Sequence, residues 1–231
     1  GLYYMIGARQ KYGSVQKAMN TWRDYMVSMG FGYQLGIDLP GEKRGMIPNA
    51  QYYDKAYRRS WNGLTIISIS IGQGEVTATP LQIANLGATI ANRGYFVTPH
   101  VVKEIEGESI DSIYTTRRYT KVDKGHYEEV VQGMRSAVLG GTCRTANIPE
   151  LEICGKTGTA QNHGKDHSAF MGFAPMNNPK IAIAVYVENG GWGATYGVPI
   201  GKLMIEKYLT GKLTAEDEAL ATDIQNRRID Y

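Results

Sequence analysis

The sequence is short of cysteine, of histidine and of long apolar runs, and each shortage excludes a class of protein. Two cysteines, Cys143 and Cys154, define neither a disulfide framework nor a metal site. Their spacing does not establish a bridge, and both read as small packing residues. There are only 4 histidines. His163 and His167 have the helical spacing for a shared metal, but they fall in a glycine-containing loop with no third ligand, so a solvated loop is expected. No apolar run approaches the ~20 residues of a membrane span. The opening Gly-Leu-Tyr-Tyr-Met carries no charged leader. Charge of one sign is also lacking, with 25 lysines and arginines against 22 acids and a net charge of +3. Apart from short pairs such as Arg58-Arg59, Arg117-Arg118 and Arg227-Arg228, the basic residues are scattered, and no nucleic-acid partner is expected.

What is present is a chain of 231 residues, long enough for one sizeable core. Ser14 is a good helix cap, and Val15, Met19, Trp22, Met26 and Met29 make an apolar stripe over 14–29 that Gly30 ends. Residues 30–63, rich in Gly, Pro and Tyr, read as a long irregular excursion. Ile67, Ile69 and Ile71 alternate with Ser68 and Ser70 and predict a strand running into Gly72-Gln73-Gly74. Thr79-Pro80-Leu81-Gln82 opens a helix with a capping box, and Leu81, Ala84, Ala88 and Ala91 form its expected inner face before Gly94. Residues 96–105 predict a strand. Residues 125–139 predict a helix burying Val130, Val131, Met134, Ala137 and Val138, broken by Gly140-Gly141. Strands are predicted over Leu151–Ala160, Ser168–Ala174 and Lys180–Val187, with short links that favour antiparallel pairing. A glycine-rich turn, Gly190 to Gly193, leads to a last helix near 197–209. The charged tail, residues 213–231, is expected to be loosely held. Trp22, Trp61 and Trp192 are expected to pack rather than bind.

The chemistry concentrates in Gly155-Lys156-Thr157-Gly158-Thr159-Ala160. A phosphate-binding loop would need glycine at position 150, which is Glu150. Gly72-Gln73-Gly74 is no dinucleotide loop, because position 77 is Thr77. A Lys-Thr-Gly strand is instead the substrate strand of serine acyl-transferases that react with penicillin. Such an edge can take a peptide as an added strand through backbone bonds. Gly158 permits close approach. The Thr157 and Thr159 hydroxyls, with the charge of Lys156, suit a terminal carboxylate, and the Thr159 N–H suits an oxyanion hole. Strict alternation, however, points Lys156 and Thr157 to opposite faces.

A bare Lys-Thr-Gly is common, but here it stands among other ordered signatures. These are Gly36-Ile37-Asp38-Leu39-Pro40-Gly41-Glu42, Ser70-Ile71-Gly72-Gln73-Gly74, Thr77-Ala78-Thr79-Pro80-Leu81-Gln82, and Phe170-Met171-Gly172-Phe173-Ala174-Pro175. With them the chain resembles the elongation-type class B penicillin-binding proteins, the penicillin-binding protein 2 group, over nearly its whole length. The resemblance implies an α+β fold of the β-lactamase/transpeptidase type, an antiparallel sheet with helices on both faces. Residues 1–212 would then be the C-terminal part of that domain. It implies a peptidoglycan D,D-transpeptidase acting through a serine acyl-enzyme, with no cofactor. Its partners would be stem peptides, β-lactam antibiotics and possible proteins of the elongation complex. The parent would lie at the periplasmic face of the inner membrane, held by an N-terminal anchor outside this chain. Lys156, Thr157 and Thr159 would be its catalytic residues, and Thr157, Gly158 and Thr159 would bind substrate.

Two further boxes fit by letter alone. Ser14-Val15-Gln16-Lys17 matches Ser-x-x-K, and Ser60-Trp61-Asn62 matches Ser-x-Asn. In the family the Gly-Ile-Asp-Leu-Pro-Gly-Glu signature follows Ser-x-Asn, whereas Ser60 comes after it here. Ser14 has too little chain before it for the strands that precede the family's nucleophile. The nucleophile is therefore expected upstream of these residues. Asp38 and Glu42 are expected to shape a turn. A non-catalytic penicillin-sensing or scaffold module of the same fold remains an alternative. A β-lactamase is a third possibility, but it needs a deacylating carboxylate that the sequence does not place.

Overall fold

The computed structural model describes residues 11–229. They divide into two compact units, one ending at Thr79 and resuming over Val97–Val122, the other formed by Pro80–Phe96 and the chain from Asp123 onward.

In the first unit, α1 (Val15–Ser28) starts where the Ser14 hydroxyl accepts the Lys17 N–H at 3.2 Å. The excursion after it holds a helix of its own, α2 (Ala50–Ala56), capped by the Asn49 side chain. The expected isoleucine strand is instead helix α3 (Gly63–Ser70). Asn62 caps it by accepting the Leu64 N–H at 2.8 Å. Ile66 and Ile69, one turn apart, are buried with Met19, Tyr53 and Trp61, while Ile71 is 70% exposed. An alternation of five residues fits both periods, and the core selected the helical one. Within Ser60-Trp61-Asn62, Asn62 is a cap, and the buried Trp61 donates its indole N–H to Asp54 at 2.7 Å.

The signature loop at 36–42 is organised by its two carboxylates. Glu42 accepts the N–H groups of Leu35, Gly36 and Ile37 at 2.6, 3.0 and 3.3 Å. Gly36 takes a positive φ of 89°, open to glycine at little cost. Asp38 accepts the Val101 and Val102 N–H groups, and the Val102 bond is the largest cause holding its carboxyl below the usual range. Both acids shape turns, as their sequence context suggested.

In the second unit, α4 (Pro80–Ala91) buries Gln82, Asn85, Gly87, Thr89, Ile90 and Ala91. The expected inner residues Leu81, Ala84 and Ala88 are only half-buried. The helix turns its Gly87 to the sheet, where an added Cβ would sit 3.5 Å from the Gly172 carbonyl. Of the strand predicted over 96–105, only Tyr95–Phe96 is extended. Helix α5 (Gly125–Leu139) buries Tyr127, Val131, Met134 and Val138, but Val130 points outward at 45% exposure.

The sheet consists of β1 (Cys154–Ala160), β2 (His167–Ala174) and β3 (Ile181–Val187), in that order and antiparallel throughout. Pro149–Leu151 is a 3₁₀ turn, so β1 begins later than expected. Thr157, Phe170 and Val185 are cross-strand neighbours and share one face. Helix α6 (Gly197–Thr210) covers that face through Val198 and Ile205. Gly87 of α4 meets Met171 and Ala182 on the opposite face.

The charged tail is not loose. Thr214 caps α7 (Ala215–Asn226), and Asp217 receives the Lys202 ammonium at 2.6 Å, with the two side chains 4% and 13% exposed. Glu206 of α6 accepts the Thr214 N–H at 3.2 Å. Asp217→Ala would remove the carboxylate bonded to Lys202 and leave only the neighbouring Glu206 to face it, a loss of about 2 kcal/mol. Amide hydrogen exchange should then accelerate across 215–226 while β2 stays protected.

Candidate active site

Strand β1 is the end strand of the three, so alternate residues turn their backbone groups away from β2. Thr157 is one of these. Its carbonyl accepts the Lys156 ammonium at 2.7 Å. Its N–H faces the Cys143 thiol, which burial pushes up in pKa and which the Thr142 hydroxyl, this N–H and the Lys156 charge pull back. By the two-residue period, the next outward pair of backbone groups belongs to Thr159.

Lys156 pairs with Met171 and so starts on the α4 face, opposite Thr157, as alternation requires. The long side chain then curls over the free edge to reach the Thr157 carbonyl. The ammonium and the threonine thus meet at the strand edge rather than on a face. Both Lys156 and Thr159 are exposed, and Thr157 and Gly158 are half-buried.

The sheet face behind the strand is shaped for close approach. Gly193 lies flat on it, and a Cβ there would meet the Ala169 carbonyl at 2.6 Å, the Gly158 carbonyl at 2.7 Å and Thr157 at 3.0 Å. The turn is pinned by Ser168, whose hydroxyl donates to the Trp192 carbonyl at 2.8 Å and accepts the Gly197 N–H at 3.0 Å. The Trp192 side chain is 78% exposed, so the expectation that it packs fails. Its main chain anchors the turn while its ring stays in solvent. Trp61 is buried as expected, and Trp22 packs half-buried against the same cluster.

One residue that the sequence did not single out is Thr142, in the turn after α5. Its hydroxyl lies 2.9 Å from that of Thr157. Nothing local announces a polar partner fifteen positions away across a turn. Cys143 and Cys154 are both buried free thiols, and burial pushes Cys154 up to about 11. His167 accepts the Asn189 N–H at 2.9 Å and stacks near Tyr186, while the His163 N–H donates to the Asn162 side chain.

Residues 4–206 match the family described as penicillin binding protein transpeptidase domain. The chain belongs to that family. The chain is 39% identical over 199 residues to the peptidoglycan D,D-transpeptidase MrdA of Acinetobacter baumannii, covering 77% of this chain and 29% of the relative. It is 32% identical over 212 residues to MrdA of Haemophilus influenzae, covering 82% of this chain and 33% of that one. It therefore spans about a third of the length of these curated relatives. Among solved structures, Pseudomonas aeruginosa PBP2 in complex with WCK 5153 superposes with a TM-score of 0.77 at 34% identity, covering 93% of this chain and 47% of that one. A complex between PBP2 and MreC from Helicobacter pylori gives 0.72 at 27% identity, with 92% and 38% coverage. These likenesses bear out the penicillin-binding protein 2 resemblance and the α+β transpeptidase fold. No helix among the described residues is long and apolar enough to cross a membrane.

Proposed function

We propose that this transpeptidase chain supplies the substrate strand of a peptidoglycan D,D-transpeptidase whose serine nucleophile lies outside these 231 residues. The observation that carries the reading is the edge of β1 turned away from β2, where the Lys156 ammonium bends back to the outward Thr157 carbonyl and Thr159 stands exposed beyond it. A stem peptide ending in D-Ala-D-Ala would add along this edge as a further strand. Its terminal carboxylate would meet the Lys156 charge and the Thr157 and Thr159 hydroxyls, and Gly158 would let the two backbones approach. The serine oxygen attacks the penultimate D-alanine carbonyl, and the carbon–nitrogen bond to the last D-alanine breaks as that amine takes a proton. The amine of a neighbouring stem peptide then attacks the ester, forms the cross-link and returns the serine. A β-lactam would enter the same place and stop at the acyl-enzyme. The Thr159 N–H would stabilise the oxyanion in both acyl transfers.

On this reading neither serine box in the chain serves as nucleophile or partner. The Ser14 hydroxyl is occupied as the α1 cap, and Asn62 as the α3 cap. The relatives' printed activity, and the MreC complex of one structural neighbour, extend the proposal to the parent protein. It would work at the periplasmic face of the inner membrane and dock proteins of an elongation complex.

Incubation with a fluorescent penicillin tests this. The 231-residue chain should form no covalent band, whereas the full-length protein should form one at a serine other than Ser14 and Ser60. A label mapped to Ser14 would overturn the reading.

A further inference from the structure

We propose that Thr142 is a positioning residue for carboxylate recognition: its hydroxyl donates a hydrogen bond to the Thr157 hydroxyl oxygen, so that the Thr157 O–H is left to donate to the substrate carboxylate. The inference rests on the functional reading above and adds a residue to it.

The two hydroxyl oxygens are 2.9 Å apart, and the geometry allows either to be the donor. A hydroxyl has a single proton. If Thr157 gives its proton to an anion, only Thr142 can supply the proton between the two oxygens. The pair then forms a directed chain, Thr142 to Thr157 to carboxylate, in which each bond polarises the next. If Thr142 could not donate, Thr157 would still reach the anion, but without a donor fixing its rotamer.

Thr142 is held firmly enough to do this. Gly141 packs so closely on α5 that a Cβ would lie 2.9 Å from the Ala137 Cα. The Cys143 N–H donates to the Ala137 carbonyl at 3.0 Å, and the Cys143 side chain is fully buried in the core cluster behind the sheet. The turn therefore presents an exposed hydroxyl from a rigid base. The same turn covers the edge of β1 at Thr157, whose N–H faces the Cys143 thiol and whose carbonyl takes the Lys156 ammonium. An added peptide strand accordingly terminates here and does not run past, which places its end group beside the hydroxyl pair.

The test compares Thr142→Val and Thr142→Ser in the full-length protein, separating non-covalent affinity for a penicillin from its acylation rate by stopped-flow fluorescence. Thr142→Val should weaken affinity about threefold to tenfold, the worth of one neutral hydrogen bond, and leave the acylation step nearly unchanged. Thr142→Ser should restore it. With the penicillin methyl ester, which lacks the anion, Thr142→Val should cause no further loss. A valine variant that binds the acid like the wild type, or that weakens acid and ester equally, overturns the proposal. Should the valine variant fold poorly, Thr142→Ala carries the same comparison. Lys156→Ala in parallel separates the two ideas. If it too is without effect, the substrate strand itself is misassigned. If it is impaired while Thr142→Val is not, only the role of Thr142 falls.

Discussion

Lys156→Ala in the full-length protein should slow acylation by a penicillin by about 10²–10³-fold, the scale seen when one preorganised electrostatic contact is removed from an acyl-transfer site. The ammonium sits on the side of β1 turned away from β2, 2.7 Å from an outward carbonyl, and it is the one cation within Gly155–Ala160. Two effects add. The anion loses its counter-charge, and the Thr157 carbonyl loses the group that fixes the edge. Because Lys156 is exposed and makes no core contact, the variant should keep its melting temperature within a degree or two. Lys156→Arg should recover part of the rate, since charge returns but the guanidinium cannot curl onto the same carbonyl in the same way. An alanine variant that acylates at the wild-type rate would count against the whole site.

Phe170→Ala should be the most damaging core substitution in the second unit, costing about 3–5 kcal/mol in urea unfolding. Phe170 is 1% exposed and lies beside Thr157 on the same sheet face, as its cross-strand partner. Three glycines make room for its ring. A Cβ at Gly155 would come within 2.5 Å of it and one at Gly172 within 2.7 Å, while Gly201 of α6 presses on it from across the layer. None of these three glycines has a side chain to move inward, so only the neighbours on the α6 side, such as Val198 and Ile205, can relax into the cavity, which puts the cost toward the upper end. Gly201→Ala should destabilise from the opposite direction, by overpacking of about 1–3 kcal/mol. A Phe170→Ala loss below 1 kcal/mol would mean that the layer repacks and that these glycines do not mark a tight seat.

The strands were legible because each carries its own two-residue pattern between turn residues, and β1, β2 and β3 fall within a few residues of where Leu151–Ala160, Ser168–Ala174 and Lys180–Val187 were expected. The miss at Ile67–Ile71 came from a pattern too short to fix its period, decided by Ile66 and Ile69 meeting Tyr53 and Trp61. The inner face of α4 was misread because its apolar residues do not mark it. Gln82, Asn85 and Thr89 are buried there, which hydropathy counts against burial. The tail looked loosely held by its charge, yet Asp217 finds Lys202 on α6, a pairing that only a second helix provides.

The sequence alone determined the Lys-Thr-Gly strand, its turns and its family, because those depend on residue types at fixed short spacings: a lysine before Thr-Gly-Thr, glycines where backbones must touch, Ser14 as the cap ahead of α1. It could not determine where the Lys156 ammonium ends up, that Thr142 meets Thr157, or that Trp192 stays in solvent. Those follow from distances across turns and layers, which the folded backbone sets and no local period encodes.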